Sequence, residues 1–536
     1  MSENLLDVLV VGAGPVGLFC ANELSRHGLR CRIVDKKSEI SSQSKALAIH
    51  IRSLDLLEDC GFLDEILSQG LKVEGVMIKS QGKELINASF ADLEGNRHFF
   101  IDLPQNKTEQ IFCNGLLSKG LEVEWNTELT GIEQTTNNVV ASLQRANGSQ
   151  EKIHASWVIA CDGSHSTLRQ LLYAKFLGSS YKQTFWLADI HINWDFPEHK
   201  ILVYMSDKGP LACFPMGEQR YRLVMTAPEK ITHQQPTMED IKELFNLRST
   251  DKATLSDAIW ISPFGIDHRQ IEKYRYGRVF FAGDAAHVHS PMGGQGMNTG
   301  MQDIYNLAWK LALVHKGFAP EKLLDSYQSE RRPIAKNVLK KTGVMTQMLL
   351  LSNPILIRLR NKFLQAMVSL KPVRRIILKD LAELDISYDN SPIVKVLGKK
   401  TRFKVGEFLN DFSLTDTQGK KKQFHQITQG TQHHLFLFTG LANSQLSTLL
   451  DTALGIGQQY QGLIQTHLVL LNPTNDAFQS HLVWIDTDQS IHKKFGILQP
   501  TAVLIRPDKY LGITQTPVNQ EELLRHLQNG YINKTS

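Results

Sequence analysis

The stretch "DVLVVGAGPVGLFCANELSRHGLRCRIVD", residues 7–35, decides the fold. An apolar, β-branched run at Val8–Val11 meets Gly12, Gly14 and Gly17 in G-x-G-x-x-G spacing. A helical segment carrying Leu18, Ala21 and Leu24 follows, and a second strand, Arg32–Val34, ends in Asp35. Each glycine has a mechanical reason: Gly12 permits the tight turn, Gly14 lets a pyrophosphate approach backbone N–H groups, and Gly17 brings helix and strand together. The helix N-terminus then offers its partial positive charge to phosphate. Asp35, 18 residues past Gly17, is placed to accept hydrogen bonds from a ribose. An acid at that position favours the unphosphorylated ribose of FAD or NAD. Ala13, Pro15, Val16 and Lys36 complete the expected cradle. The unit alone leaves FAD and NAD open. A second fingerprint would indicate both, but "GIGQQYQG" at 455–462 has the wrong spacing and reads as a loop or helix surface.

A chain of 536 residues predicts two or three packed units. Hydrophobic content of 42% and charged content of 21% are globular values. The net charge of +5 is spread along the chain without a basic stripe, which argues against nucleic acid as a partner. "MSENLLDVLVVGAG" runs directly into a strand rather than reading as a signal peptide, and no run nears the ~20 apolar residues of a membrane span. The expectation is a cytoplasmic protein without stable membrane insertion. Cys20, Cys31, Cys60, Cys113, Cys161 and Cys213 are scattered with no C-x-x-C pair, so they read as small buried hydrophobes rather than metal ligands or a disulfide framework.

Two further blocks carry chemistry. In "SWVIACDGSHSTLRQLL", 156–172, an apolar strand (Trp157–Cys161) runs into Asp162-Gly163 and a short helix capped by Ser164 or Ser166. In "FFAGDAAHVHSPMGGQGMNTGMQD", 280–303, a buried strand (Val279–Ala282) ends at Gly283-Asp284, and a glycine-rich loop leads to a long helix from about Met297. The glycines at 293, 294 and 296 remove side chains that would hold a flat ring away from backbone. The helix start offers free N–H groups to negative charge, and Pro291 shapes the loop. His287 and His289, at i and i+2, would suit two zinc ligands on a strand. No third ligand lies nearby in sequence, so no metal is expected and packing is their expected role.

The ordered set of three blocks resembles the flavin-dependent aromatic hydroxylases, the single-component FAD monooxygenases of the phenol hydroxylase class. The resemblance is close over roughly residues 6–345, with supporting matches in "LPQNKTEQI" (103–111), "NLAWKLA" (306–312) and "SYQSERRP" (326–333). It implies an α/β protein with a Rossmann-type, glutathione reductase-like FAD-binding domain, an inserted and mainly antiparallel substrate domain, and a C-terminal thioredoxin-like domain. By position it implies that Asp35 holds the adenosine ribose, Gln105 contacts the cofactor near its phosphates and ribityl chain, and Asp284 bonds the ribityl hydroxyls. Gly296, Met297 and Asn298 would surround the pyrimidine edge, and Asp162 would lie near the nicotinamide approach. Pro291 and Gly293 would line the reactive face. Lys45 stands where the family typically has Arg, keeping the charge without the planar fork. Asp35 replaces the commoner Glu. The implied reaction is hydride transfer from NAD(P)H to FAD, then oxygen transfer from a flavin hydroperoxide to a phenolic or polyketide-like aromatic substrate. A saturating reductase or halogenase of the same fold, and a non-catalytic flavin-binding scaffold, are the alternatives; Trp186, Trp194 and Trp260 lack the halogenase pairing.

The boundaries follow: 1–177 and 271–385 as the two parts of the FAD-binding domain, 178–270 as the substrate domain, and 400–536 as a thioredoxin-like domain without C-x-x-C. Within 178–270 the alternating stretches "FWLADIHIN", "KILVYMS", "LACFPMG" and "RYRLVMTA" predict a half-buried antiparallel sheet with no helical period. Phe214, Pro215 and Met216 are candidate wall positions. Tyr204, Tyr221, His191 and His268 are candidates for a substrate-deprotonating base. Residues 343–372 predict two amphipathic stretches broken at Pro354, packed on the FAD domain or at a homodimer seam, with membrane contact as the minor reading. In the tail, strands at 434–440, 466–473 and 501–513 alternate with helical segments, the last at 519–530.

Overall fold

The computed structural model describes residues 5–228, 235–291, 293–351, 353–409, 412–441, 445–472, 483–528 and 532–533. The opening stretch forms strand Leu6–Val11, helix Pro15–Arg26 and strand Cys31–Val34. Leu6–Val11 pairs in parallel with Cys31–Val34 on one side and Gln150–Ala160 on the other, and Val279–Phe281 adds in parallel beyond. Val8, Leu9, Val10, Val158 and Phe280 are completely buried, as expected of parallel strands covered on both faces. This register has a direct consequence. The three strands that precede Gly12, Asp162 and Gly283 are neighbours pointing the same way, so their carboxyl ends deliver all three motifs to one edge, where open parallel sheets bind ligands.

A second eight-stranded sheet runs in the order His287–Val288, Thr254–Ile271, Phe176–Asn193, Arg220–Thr226, Gly209–Gly217, Lys200–Ser206, Gly75–Ser80, Lys83–Ser89. It draws in strands from either side of 178–270, and one of its pairings, Lys200–Ser206 with Gly75–Ser80, is parallel. Alternation sorts the side chains. Trp186, Ala188, Ile190 and Ile192 face a core with Tyr204, Tyr221 and Leu223. Phe185 clusters separately with Ala212, Val224 and Ile266, flanked by Phe214 and Phe264.

The expectation of no helix in 178–270 is overturned by Met238–Arg248. Its buried residues Ile241, Leu244, Phe245 and Arg248 fall at i, i+3, i+4 and i+7, and Thr237 with Asp240 forms a capping box. The short strands around it masked that period. The stretch 501–513 is also two strands rather than one, Thr501–Ile505 and Leu511–Thr516. They pair antiparallel around Pro507 and Lys509, the latter at φ 66°.

The chain divides into two compact units, Met1–Ser25, Arg30–Ile304 and Ile334–Asp385 in one, Arg26–Leu29, Tyr305–Pro333 and Ile386–Ser536 in the other. The second unit is built on a sheet in the order Lys395–Gly398, Leu511–Thr516, Thr501–Ile505, His433–Phe438, Ile464–Leu470, Val483–Ile485, Ser413–Asp416, Lys421–Gln423. Its polar centre is Glu330, which is fully buried. Glu330 Oε1 accepts from Arg506 Nη1 (2.6 Å) and Ser391 Oγ (2.5 Å). Its Oε2 accepts from Lys310 Nζ (2.6 Å), Asn306 Nδ2 (2.6 Å) and Arg506 Nη2 (2.9 Å). Asp508 balances the charge, accepting from Arg506 Nε (2.9 Å) and Trp309 Nε1 (3.2 Å). Burial pushes the Glu330 carboxyl up, but Arg506 and Lys310 outweigh it and hold it below the usual carboxylate range. Removing one partner of such a cluster leaves a buried charge uncompensated. Glu330→Gln is therefore expected to lower the unfolding free energy by about 3–5 kcal/mol, read as a fall in the urea midpoint. An unchanged midpoint would show that the cluster adds no net stability.

Candidate functional site

Glycines set the closest approaches. Gly12 sits at φ 100°, and a Cβ there would run into Cys161 O and the Asp162 backbone. A Cβ on Gly17 would overlap Gly12 O. One on Gly300 would lie 2.5 Å from Val16 Cγ2 and 3.1 Å from Gly283 Cα. These contacts lock the fingerprint, the Asp-Gly turn and the Gly-Asp turn against one another. Gly14 differs, because a Cβ there meets nothing within 4 Å. Its surroundings are open on the side where a pyrophosphate would pass the helix start.

Asp35 is buried, and its carboxylate holds the turn. Oδ2 accepts from Ala13 N–H (2.6 Å) and Oδ1 from Lys37 N–H (2.8 Å), each oxygen keeping lone pairs for a ribose. Lys36 is exposed. Asp162 is anchored through Oδ2, which accepts from Leu168 N–H (3.1 Å), while its Oδ1 is buried and makes no hydrogen bond with the described residues. Burial raises its carboxyl above the usual range, against hydrogen bonds from Ser166 and Leu168 that lower it. The helix after it, Thr167–Leu171, is capped by Ser166, whose Oγ accepts from Arg169 N–H.

Asp284 is exposed and makes no hydrogen bond with the described residues. It is nonetheless desolvated by surrounding protein, which raises its carboxyl, while His287 and the Lys45 ammonium lower it. A carboxylate both reachable by solvent and hemmed in by protein lies in a recess. Lys45 is exposed and acts on that recess through its charge.

The loop and helix start form the other wall. The helix Gly296–His315 makes its first i→i−4 bond from Thr299 N–H to Gln295 O (2.8 Å), which leaves the N–H groups of Gly296, Met297 and Asn298 for other acceptors. Gly293 and Gly294 take φ of 96° and 65°, and Pro291, exposed, accepts from Gly294 N–H (2.9 Å). Asn298 is fully buried, and its side chain is spent on the scaffold: Oδ1 accepts from His50 N–H (2.9 Å), and Nδ2 donates to Ala48 O and Gly294 O (2.9 Å each). What Asn298 has to offer a ligand is its backbone N–H. Gln105 is similarly engaged, with Oε1 accepting from Ala46 N–H (3.0 Å) and Nε2 donating to Glu109 (2.7 Å). It fixes the segment carrying Lys45.

Several contributors gave no signal in the sequence because their partners are far away in it. Asp303 is fully buried, and its Oδ2 accepts from Gly283 N–H (3.1 Å) and His287 Nε2 (2.7 Å), tying the Gly-Asp turn to the helix. His50 Nε2 donates to Gly293 O (2.8 Å) and braces the loop. Burial lowers its pKa to about 4, so the ring is neutral at physiological pH. Burial does the same for His289, also to about 4; its Nδ1 donates to Ser290 O (2.9 Å). Both histidines of the 280–303 stretch thus bond neighbouring protein through one ring nitrogen, His287 to Asp303 and His289 to Ser290. In the second sheet Arg222 pairs with Asp189 (2.7 Å) while its Nη1 donates to Lys45 O and Ala46 O (3.1 Å each). Both side chains are buried, so an inward-facing ion pair joins the sheet to the cofactor-side segment.

The four candidate bases separate. Tyr204 donates to Asp251 Oδ2, and burial raises its pKa; Tyr221 lies in the same core and is raised by burial too. Desolvation favours the protonated phenol in both. His191 is half-buried on its strand. His268 is the candidate brought towards the loop: its charge acts on His289, and burial lowers its own pKa.

Known proteins now bear on this geometry. The FAD binding domain family matches residues 5–342. The chain belongs to that family. This FAD-binding protein is 34% identical over 94% of its length to 6-methylpretetramide 4-monooxygenase of Streptomyces rimosus, covering 90% of that relative. It is 32% identical to rifampicin monooxygenase of Streptomyces venezuelae over 74% of this chain and 83% of that one. Its fold matches the anhydrotetracycline hydroxylase OxyS from Streptomyces rimosus with a TM-score of 0.76 at 26% identity, covering 98% of this chain and 99% of that one. The chain is therefore a mixed α/β flavoprotein of a monooxygenase family. The residues fit FAD: open space at Gly14, the unsatisfied Asp162 Oδ1, the recessed Asp284 and the free N–H groups at 296–298.

Gly14→Ala is expected to keep the wild-type melting temperature while losing FAD, because its methyl meets no protein atom within 4 Å and projects into the open space at the helix start. Gly17→Ala is expected to lower the melting temperature itself, since the methyl overlaps backbone; FAD titration and thermal melts of the apoproteins separate the two. His50 predicts a pH effect. Its folded pKa lies below the unfolded value, so its stabilising contribution is present above about pH 6.5 and is lost as pH falls towards 4, costing about 2 kcal/mol between pH 7 and 5. His50→Gln is expected to lessen that loss, measured by urea unfolding at the two pH values.

Proposed function

We propose that this chain is an FAD-dependent monooxygenase that uses NAD(P)H and O2 to hydroxylate an electron-rich aromatic compound, phenolic or polyketide-like, in the cytoplasm. The observation that carries the reading is the juxtaposition of a ligand-ready helix start with an apolar, aromatic sheet face. A Cβ on Gly294 would lie 3.0 Å from Ala48 Cβ, and Ala48 belongs to the cluster against which Val203 and Phe214 pack. Phe214 and Val203 also border the cluster of Phe185, Val224 and Ile266, which a flat apolar ring suits.

Bound FAD supplies the redox chemistry with nicotinamide and O2. The protein's residues position and polarise. Gly14 and the start of helix Pro15–Arg26 receive the pyrophosphate, Asp35 the ribose and Asp284 the ribityl chain. The N–H groups of Gly296–Asn298 and the helix dipole favour negative charge at the pyrimidine edge. Pro291 and Gly293 border the ring, and Lys45 adds positive charge beside Asp284. Apolar walls exclude water from the reacting ring. The relatives named 6-methylpretetramide 4-monooxygenase and rifampicin monooxygenase support an oxygenation reaction on an organic small molecule.

In the same reading 1–177 and 271–385 form a Rossmann-type FAD-binding domain and 178–270 the core of the substrate domain. Residues 400–536 form a thioredoxin-like domain. What supports the last assignment is its strand order: His433–Phe438 and Ile464–Leu470 are parallel with helix Leu446–Gln459 between them, and Thr501–Ile505 and Leu511–Thr516 follow antiparallel. It contains no cysteine, so thiol chemistry is absent.

The test is purification with bound yellow FAD, then NAD(P)H oxidation with a panel of phenols and fused-ring polyketides, looking for stimulation and a product one oxygen heavier. Stimulation by none of them, with FAD bound, would sink the hydroxylase reading. Asp284→Ala removes a charged hydrogen-bond acceptor and is expected to weaken FAD binding about ten- to hundredfold, measured by fluorescence titration; unchanged affinity would refute the ribityl role.

A further inference from the structure

The helices Pro354–Ser369 and Lys371–Leu381 turn a large apolar surface outwards. Ile355 is 67% exposed, Leu359 60%, Phe363 57% and Leu370 57%. Ile355, Leu359 and Phe363, spaced by four, make one stripe along the first helix, and Leu370 lies just past its end. The opposite side, Ile357, Arg360 and Val368, is the buried one. Leu356, Ile376 and Ile377 extend the exposed surface. So many contiguous exposed aliphatic and aromatic residues mark an interaction site.

Charge says what kind. Residues 354–381 contain seven Lys or Arg and a single acid, Asp380. That acid is held by Lys341. Arg374 and Arg375 are paired with Asp92 and Glu94. Arg358, Lys362 and Lys371 are exposed and form no ion pair among the described residues, and the first two border the apolar stripe at helical spacing. We propose that this face docks on an anionic lipid surface, the apolar stripe entering the acyl–headgroup boundary and the free cations meeting lipid phosphates. An amphipathic helix with a cationic border and a Leu/Ile/Phe face suits that position. A second copy of the same face suits it less, because a two-fold contact sets like charges together. No helix among the described residues is long and apolar enough to cross a membrane, so the contact is peripheral.

The test is co-sedimentation of the FAD-loaded protein with vesicles of phosphatidylcholine alone and with about a third phosphatidylglycerol, at low and high salt. Binding is expected to the anionic vesicles and to weaken with salt. Arg358→Glu with Lys362→Glu is expected to weaken it at least about tenfold, and Leu359→Ser with Phe363→Ser to abolish it. Because the substituted residues are exposed, melting temperature and bound FAD should match wild type, which separates lost docking from lost fold. No vesicle binding at low salt, or binding indifferent to these substitutions, would overturn the proposal. So would equal binding to neutral vesicles, or a solution dimer that Phe363→Ser dissociates in a protein that ignores lipid.

Discussion

Backbone-to-backbone contact without intervening side chains is the constraint on which the site depends. Gly17 against Gly12 O, Gly12 against Cys161 and Asp162, and Gly300 against the Gly283 backbone bring four chain segments closer than a Cβ comfortably allows. Because the strands feeding three of these segments are parallel neighbours, the contacts gather at one sheet edge. A methyl at any of those positions pushes apart segments that must meet a single ligand at once.

A division of labour follows. Inside the site, Asn298, Gln105, His50 and Asp303 use their hydrogen-bonding capacity on the protein itself, fixing loops that would otherwise wander. Among the described residues, the Asp284 carboxylate, Asp162 Oδ1 and a helix-start row of N–H groups keep unused hydrogen-bonding capacity. Buried neutral histidines suit this bracing, since an imidazole donates from one nitrogen without bringing charge into a low-dielectric setting.

Much of this was legible in the sequence where meaning is local. The spacing of Gly12, Gly14 and Gly17, the strand ends at Asp162 and Asp284, and the helix start near Met297 all lie within a few residues of what defines them. His50, Asp303 and the Arg222–Asp189 pair were not legible, because each acquires its role from a partner tens to hundreds of residues away. Gln105 and Asn298 sit at the expected place, but their side chains turn to the scaffold, a choice that depends on which neighbour arrives. The helix Met238–Arg248 carried a clear period and capping box; the β-rich setting concealed it. The motifs at 306–312 and 326–333 were visible as resemblance only. Their content, Asn306, Trp309, Lys310 and Glu330, makes sense only beside Arg506 and Asp508.

That last cluster also orders events during synthesis. Glu330 and Lys310 leave the ribosome long before Arg506 and Asp508, which complete their hydrogen bonding some 180 residues later. Until then Glu330 has Lys310 as its counter-ion but lacks the Arg506 guanidinium that bonds both its oxygens, and a carboxylate short of partners is costly to bury. The second unit therefore closes only after residues 506–508 have emerged, and the wait leaves its apolar helix faces to be shielded by other means.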